Sequence, residues 1–433
     1  MSGHSYTCSK KPTGVKSLDK QKSSYRWVVF ASVLLTYLFM SSQRTAPGLI
    51  TEQVMLDFNV TATTIGLLAS IQFFVYTGLQ IPMGILADRF GPNFFLMIGA
   101  ILTGFGTIIY SLGTHEFVLF FARILTGIGD ATIWVNMVLI LSRWFSAKEF
   151  TSLIGVVAAT GSLGFLLATV PFSLWVDLLG WRATFFSTGL LLCLCGILLF
   201  IVLVKKPKQS VFEKTNRQRE KTWVLLRRIA SNRQAWALFL CHFGIVGTFV
   251  GFIGSWAVPY GMNLYGMTRS DASQLILISL IGALIGSPLF SWISSKLEMI
   301  KRPYIVVHII LSLSWSTFVL CKGNPPSFLL TLLFFVIGLM YGANALTFAA
   351  VRQSFPIKES GIASGFANTG GFLSAVLLPS IFGYVLDHFQ FASDSVGEGY
   401  YHGFITPVIF SMIGLIGVIF MQEPKKVIRT IHK

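Results

Sequence analysis

Stretches of roughly twenty apolar residues recur along this chain, and each is the length of helix needed to cross a hydrocarbon core about 30 Å thick. They fall near 27–50, 63–87, 92–112, 117–141, 151–174, 182–204, 235–262, 272–294, 304–321, 327–351, 361–386 and 403–421. Inside hydrocarbon a backbone must satisfy its own hydrogen bonds, so segments of this length are expected to be helical. The expected fold is an all-α membrane protein with twelve transmembrane helices. Composition agrees: 54% of the 433 residues are hydrophobic and 12% charged, a balance that excludes an ordinary soluble globule.

The net charge of +16 would suit a nucleic acid or an acidic partner if it were spread over one surface. Its location gives it another meaning. Of the 33 Lys and Arg, 28 lie before the first span, after the last, or in the segments joining spans two to three, four to five, six to seven, eight to nine and ten to eleven. Only Arg182, Arg269 and Lys322 occupy the opposite side, so both termini are expected in the cytoplasm, in a multi-pass protein of the plasma membrane in contact with lipid. The residues before Tyr25 hold five lysines and read as a polar tail, not a signal sequence. The cysteines, Cys8, Cys193, Cys195, Cys241 and Cys321, are odd in number and match no disulfide or zinc pattern, and no cofactor is expected.

The longest polar insertion, 205–234, divides the spans six and six. This predicts a cytoplasmic tail over 1–25, a six-helix bundle over 26–204, a basic linker over 205–234, a second six-helix bundle over 235–421 and a tail over 422–433. The linker has no nucleotide motif and is too short for an ATPase domain. The halves echo each other at a spacing near 210 residues: Phe145, Lys148, Glu149, Gly155 and Gly161 recur as Phe355, Lys358, Glu359, Gly365 and Gly371. Pseudo-symmetric halves of this kind place a binding site at the midplane, where rocking exposes it to either side in turn. No nucleophile, metal or paired-carboxylate constellation points to an enzyme.

Between the second and third spans, Gly84-Ile-Leu-Ala-Asp88-Arg89-Phe-Gly91 reads as a compact turn with an acid–base pair at its centre and Gly91 permitting the reversal. This run resembles the signature loop of the major facilitator superfamily, with a decayed copy at Ser294-Ser295-Lys296-Leu297. In the fourth span, Arg123, Gly127 and Asp130, followed by Arg143-Trp144-Phe145, resemble the organic anion and anion:cation symporter branch, as does Gly180-Trp181-Arg182 with Phe185. The resemblance implies a secondary transporter in the major facilitator fold, with Gly84, Asp88, Arg89, Gly91, Arg123, Gly127 and Arg143 in gating and structural roles.

The residues carry weight without any family. A mid-span charge costs roughly 2.5–3.5 kcal/mol even on a lenient insertion scale. Asp130 is the one acid of 17 that falls inside a span, and Arg44 and Arg123 are the intramembrane bases, joined by His242 and His308. Arg44, in Ser41-Ser42-Gln43-Arg44-Thr45, can grip a substrate carboxylate bidentately or snorkel toward headgroups; the branch it resembles has a substrate-binding Arg in its first span. Where that branch often has an acid, Gln43 stands here. Asp130 can carry a proton between the two sides or stay ionised as the partner of an arginine on another span. Arg123 is two helical turns from Asp130, too far for a direct pair. Gln43, Trp134, Asn136, Tyr341, Asn344 and Asn368 are further cavity candidates, and the two histidines suit structural hydrogen bonds better than a relay.

The leading expectation is a monomeric transporter of a small organic anion coupled to protons. Efflux of a drug or metabolite by proton antiport, and a solute sensor without flux, are the competing readings; the fifth span lacks the tight Gly-Pro cluster of many drug antiporters, since Pro171 follows the glycines at a distance.

Overall fold

The computed structural model describes residues 24–145, 147–205, 222–393 and 396–423. Among them there is no strand. In the first half the helices run Tyr25–Ser42, continued by a 3-10 turn and the short helix Thr51–Phe58; Ala62–Phe90; Pro92–Leu112; Glu116–Trp144; Ala147–Leu167; and Val170–Leu199, which winds into a π turn at Phe200–Val204. In the second they are Arg233–Thr248 with Ala257–Tyr265, Arg269–Leu297, Lys301–Leu320, Ser327–Tyr341 with Ala345–Ser354, Ile357–Ser393, and Val396–Gly403 with Ile405–Phe420.

By length and hydropathy, eleven helical stretches among the described residues are able to cross a membrane, one of them the 42-residue run Leu163–Val204. That run is two spans. Gly180 has φ +76°, and the rings of Phe172 and Phe185 lie 5.5 Å apart. Thirteen residues of straight helix would separate them by about 20 Å. The chain therefore folds back at Gly180, and the count is twelve.

The duplication is visible in backbone detail. Phe145 ends the fourth span at φ −122°, ψ 152°, and Phe355 ends the tenth at φ −119°, ψ 145°. Glu149 then pairs with Arg26 at the start of the first span (3.0 Å), and Glu359 pairs with Arg228 just before the seventh (2.6 Å). Each acid lies in the first turn of its helix, where a negative charge is favoured, and ties that turn to the entry of its own half.

One expectation needs correction. Residues 84–90 are not a loop: the second helix continues through Phe90, and the reversal is confined to Gly91 at φ +94°. The side chains of Gly84, Asp88 and Arg89 lie outside the described residues. Within the segment 205–234 the described residues form a helix, Thr222–Ala230, which Arg228 fastens to the eleventh span.

The halves meet along a seam between the second and eleventh spans, on the face opposite Tyr25 and Glu423. Asp387 accepts hydrogen bonds from the backbone N–H of Ala62 (3.0 Å) and Thr63 (2.7 Å). A Cβ on Gly66 would lie 2.2 Å from the carbonyl oxygen of Pro379. Ser70 donates to the Val376 carbonyl and lies 2.7 Å from the Ser380 hydroxyl. Phe372 then packs on Phe73 (6.3 Å) and Tyr76 (4.6 Å). On the same face, Arg269 of the eighth span pairs with Asp177 and donates to the Leu49 carbonyl (3.0 Å). Beyond Tyr76, a Cβ on Gly78, Gly361 or Gly365 would meet nothing within 4 Å. Among the described residues, the contacts of this seam lie on the face away from the termini.

Candidate functional site

The first span leaves α-helical geometry at Gln43, passing through turns into the 3-10 segment Ala46–Ile50. The interruption carries the polar run Ser41–Thr45 into the interior near the inner end of the seam. Arg44 is turned inward, with 11% of its side chain exposed, rather than reaching for headgroups. Its Nε donates to Asp130 Oδ2 at 3.4 Å, and Gln72 Nε2 donates to the same oxygen at 2.7 Å. The first, second and fourth spans thus converge on one carboxylate. Asp130 thus has an arginine of another span, Arg44, within ion-pair distance.

Aromatic rings enclose the guanidinium. Its Cζ lies 4.9 Å from the Tyr76 ring centroid, a cation–π distance, and Tyr37 and Tyr341 are within electrostatic reach. Tyr341 itself stacks flat on Phe249 at 4.0 Å. Around the charged pair several buried polar atoms have no partner among the described residues: Ser41 Oγ, Thr45 Oγ1, Gln72 Oε1 and Asp130 Oδ1. Such atoms are rare in folded interiors, and a cluster of them marks a place built to hold something polar.

The other candidates are distributed unequally around this centre. Gln43 faces the third span, receiving a long 3.4 Å bond from the Thr107 hydroxyl, so it turns away from Arg44. Arg123 is buried, donates from Nε to the Leu68 carbonyl (3.1 Å), and makes no ion pair with Asp130. It shares with Arg44 a small, partly open cavity, lined also by Tyr110, Gly48, Gly254 and Ser255. Gly127 is a packing residue: a Cβ there would lie 2.8 Å from the Gln72 carbonyl oxygen on the second span. Arg143 occupies the last turn of the fourth helix, far along it from Asp130. Trp134 is exposed, 6.4 Å from the Tyr37 ring, whereas Asn136 is fully buried and donates to the Thr132 carbonyl.

In the second half, Tyr341, Asn344 and Asn368 are half-buried. His242 Nδ1 lies 3.2 Å from the Thr347 hydroxyl, and Tyr304 closes this chain at 2.7 Å from Thr347. His242 is therefore a hydrogen-bonded structural residue, as expected. His308, also fully buried, has no partner on either ring nitrogen among the described residues.

Gln72, Tyr37, Tyr76, Phe249 and Phe372 were not legible as site residues. Gln72 alone carried a signal, an amide buried ten residues into an apolar helix.

Comparison with known proteins follows the same lines. The chain is 22% identical over 430 residues to a protein named a probable hexose phosphate transport protein in Chlamydia trachomatis, covering 92% of this chain and 91% of that one. It is 23% identical over 406 residues to a probable galactarate/D-glucarate transporter of Bacillus subtilis, covering 85% and 87%. A D-galactonate transporter of Escherichia coli is 22% identical over 396 residues, covering 84% and 89%. Among solved structures, an inward-facing, unoccupied bacterial homologue of the human lysosomal transporter Spinster superposes with TM-score 0.72 at 16% identity, covering 92% of this chain and 96% of that one. A nucleoside transporter superposes with TM-score 0.73 at 13% identity, covering 92% and 99%. The sequence profile of the Major Facilitator Superfamily matches residues 29–379 and again 265–432, which is most of the chain, and the chain belongs to that superfamily of membrane transporters.

Proposed function

We propose that this protein imports a small organic anion together with protons by alternating access, and that Arg44 holds the anion. The observation that carries the reading is the Arg44–Asp130–Gln72 contact, a charged pair inside the spans with unpartnered polar atoms around it. A 3.4 Å bond through Nε is a loose one. A substrate carboxylate that takes over the guanidinium forms the shorter bidentate bonds that an arginine fork favours. Asp130 then loses its cation in a low-dielectric site, where the neutral acid is the stable form, so anion binding and proton uptake become one event. Return of Arg44 to Asp130 expels both.

The names of the relatives support a hydroxylated or phosphorylated anion as the cargo, and the basic bias of the sequence supports a cytoplasmic location for the face that carries the termini. Reconstitution in liposomes tests the mechanism with a panel of sugar acids, hexose phosphates and simple monocarboxylates. Acid outside should drive accumulation of one member; Arg44→Ala should abolish its binding, and Asp130→Asn should retain exchange but lose accumulation. Uptake indifferent to external pH, with full accumulation in Asp130→Asn, would refute the coupling.

A further inference from the structure

We propose that Tyr76 is the positioning residue that ties the charge on Arg44 to closure of the seam between the halves. One ring serves both: Tyr76 lies under the Arg44 guanidinium at 4.9 Å and meets Phe372 of the other half edge-on at 4.6 Å and 60°. Tyr76 and Phe73, three residues apart and so on one face of the second helix, hold Phe372 between them.

The position of this contact matters as much as its chemistry. Along the second span the seam begins at Ala62 and Thr63, and Tyr76 is its last rung, about 21 Å further along the helix. Beyond it, Gly78 on the second span and Gly365 and Gly361 on the eleventh meet nothing within 4 Å. Tyr76 therefore sits at the inner end of the described seam, beside the site of binding.

The cation–π attraction depends on an uncompensated positive charge over the ring face. A bound carboxylate neutralises that charge and draws the guanidinium toward itself. The Tyr76 ring is then released on one face, and the edge-to-face pair with Phe372, which needs a fixed ring, weakens with it. Occupancy of the site is in this way reported to the interface that must part for the opposite face to open. The inference rests on the reading of Arg44 as the anion site.

A double-mutant cycle tests it without any substrate. Spin labels on Thr61→Cys and Tyr384→Cys, at the far ends of the second and eleventh spans, report separation of the seam in a protein whose native cysteines are replaced by serine. The cycle is run on Asp130→Asn, so that no carboxylate is left unpaired. Arg44→Gln should raise the ratio of separated to closed seams about tenfold. In Tyr76→Leu, and independently in Phe372→Ala, the ratio should already be raised and Arg44→Gln should add nothing. Tyr76→Phe keeps the ring and should keep the response to Arg44→Gln, an outcome that a generally loosened fold would not give. Equal responses to Arg44→Gln with and without the Tyr76 ring, or no response at all, overturn the proposal. Loss of anion binding in Arg44→Ala alongside an additive cycle would overturn this coupling and leave the binding reading standing. A coupled cycle with anion binding intact in Arg44→Ala would do the reverse.

Discussion

Removing the charge of Asp387 should open the face away from the termini. This carboxylate belongs to the eleventh span, yet it accepts the Ala62 and Thr63 backbone N–H groups at 3.0 and 2.7 Å and the Thr63 hydroxyl at 2.5 Å. The two amides are among the first of the second helix, which have no partner within it, and they lie at the positive end of its dipole. Charge-assisted bonds of this kind contribute about 1.5–3 kcal/mol each when fully desolvated. Asp387 is half-buried, and asparagine keeps one acceptor oxygen, so Asp387→Asn should cost the closed seam about 2 kcal/mol, or about thirtyfold in the open-to-closed ratio. Ser255 is 5% exposed and lines the small cavity beside Arg44, so a Ser255→Cys probe reports opening of this face. In detergent, with the native cysteines replaced, its alkylation by a water-soluble maleimide should accelerate about thirtyfold in Asp387→Asn. An unchanged rate would show that these three bonds do not hold the halves together.

Further outcomes separate contacts between the halves from contacts within them. Gly66→Ala forces a Cβ to 2.2 Å from the Pro379 carbonyl oxygen across the seam, so it should also speed Ser255→Cys alkylation while barely moving the apparent thermal midpoint. Gly338→Ala brings a Cβ to 1.8 Å from the Ser279 carbonyl oxygen inside the second half; overpacking there should cost about 1–3 kcal/mol and lower that midpoint without opening the seam. His308→Leu removes a buried ring with two unpartnered nitrogens and should leave stability unchanged or raise it, whereas His242→Leu strips Thr347 of a partner and should destabilise by about 1–3 kcal/mol, both read as thermal midpoints in detergent.

The spans were legible because hydrocarbon imposes one solution on the backbone, and the same logic exposed Arg44 and Asp130, since each pays for burial by itself wherever the chain goes. Their partnership was not legible. They lie 86 residues apart, and nothing in either segment says that the first span breaks at Gln43 and turns Arg44 toward the fourth. Gln72 escaped notice because a neutral amide disturbs the apolar pattern too little, and Tyr76 and Phe372 because aromatic residues in a span are ordinary. The helical state of 84–90 was hidden for a related reason: beyond the hydrocarbon, water satisfies a loop and a helix alike, so charge and glycine content cannot choose between them. Asp387 is the sharpest case. Along the chain it is one more acid outside the apolar core, with nothing to distinguish it from Asp177 or Glu398. What gives it a role is the arrival of two unsatisfied amides from a helix 324 residues earlier. The cost of burying a charge belongs to one residue and can be read in one place. The energy of a seam belongs to a pair of helices, and no property of either helix alone contains it.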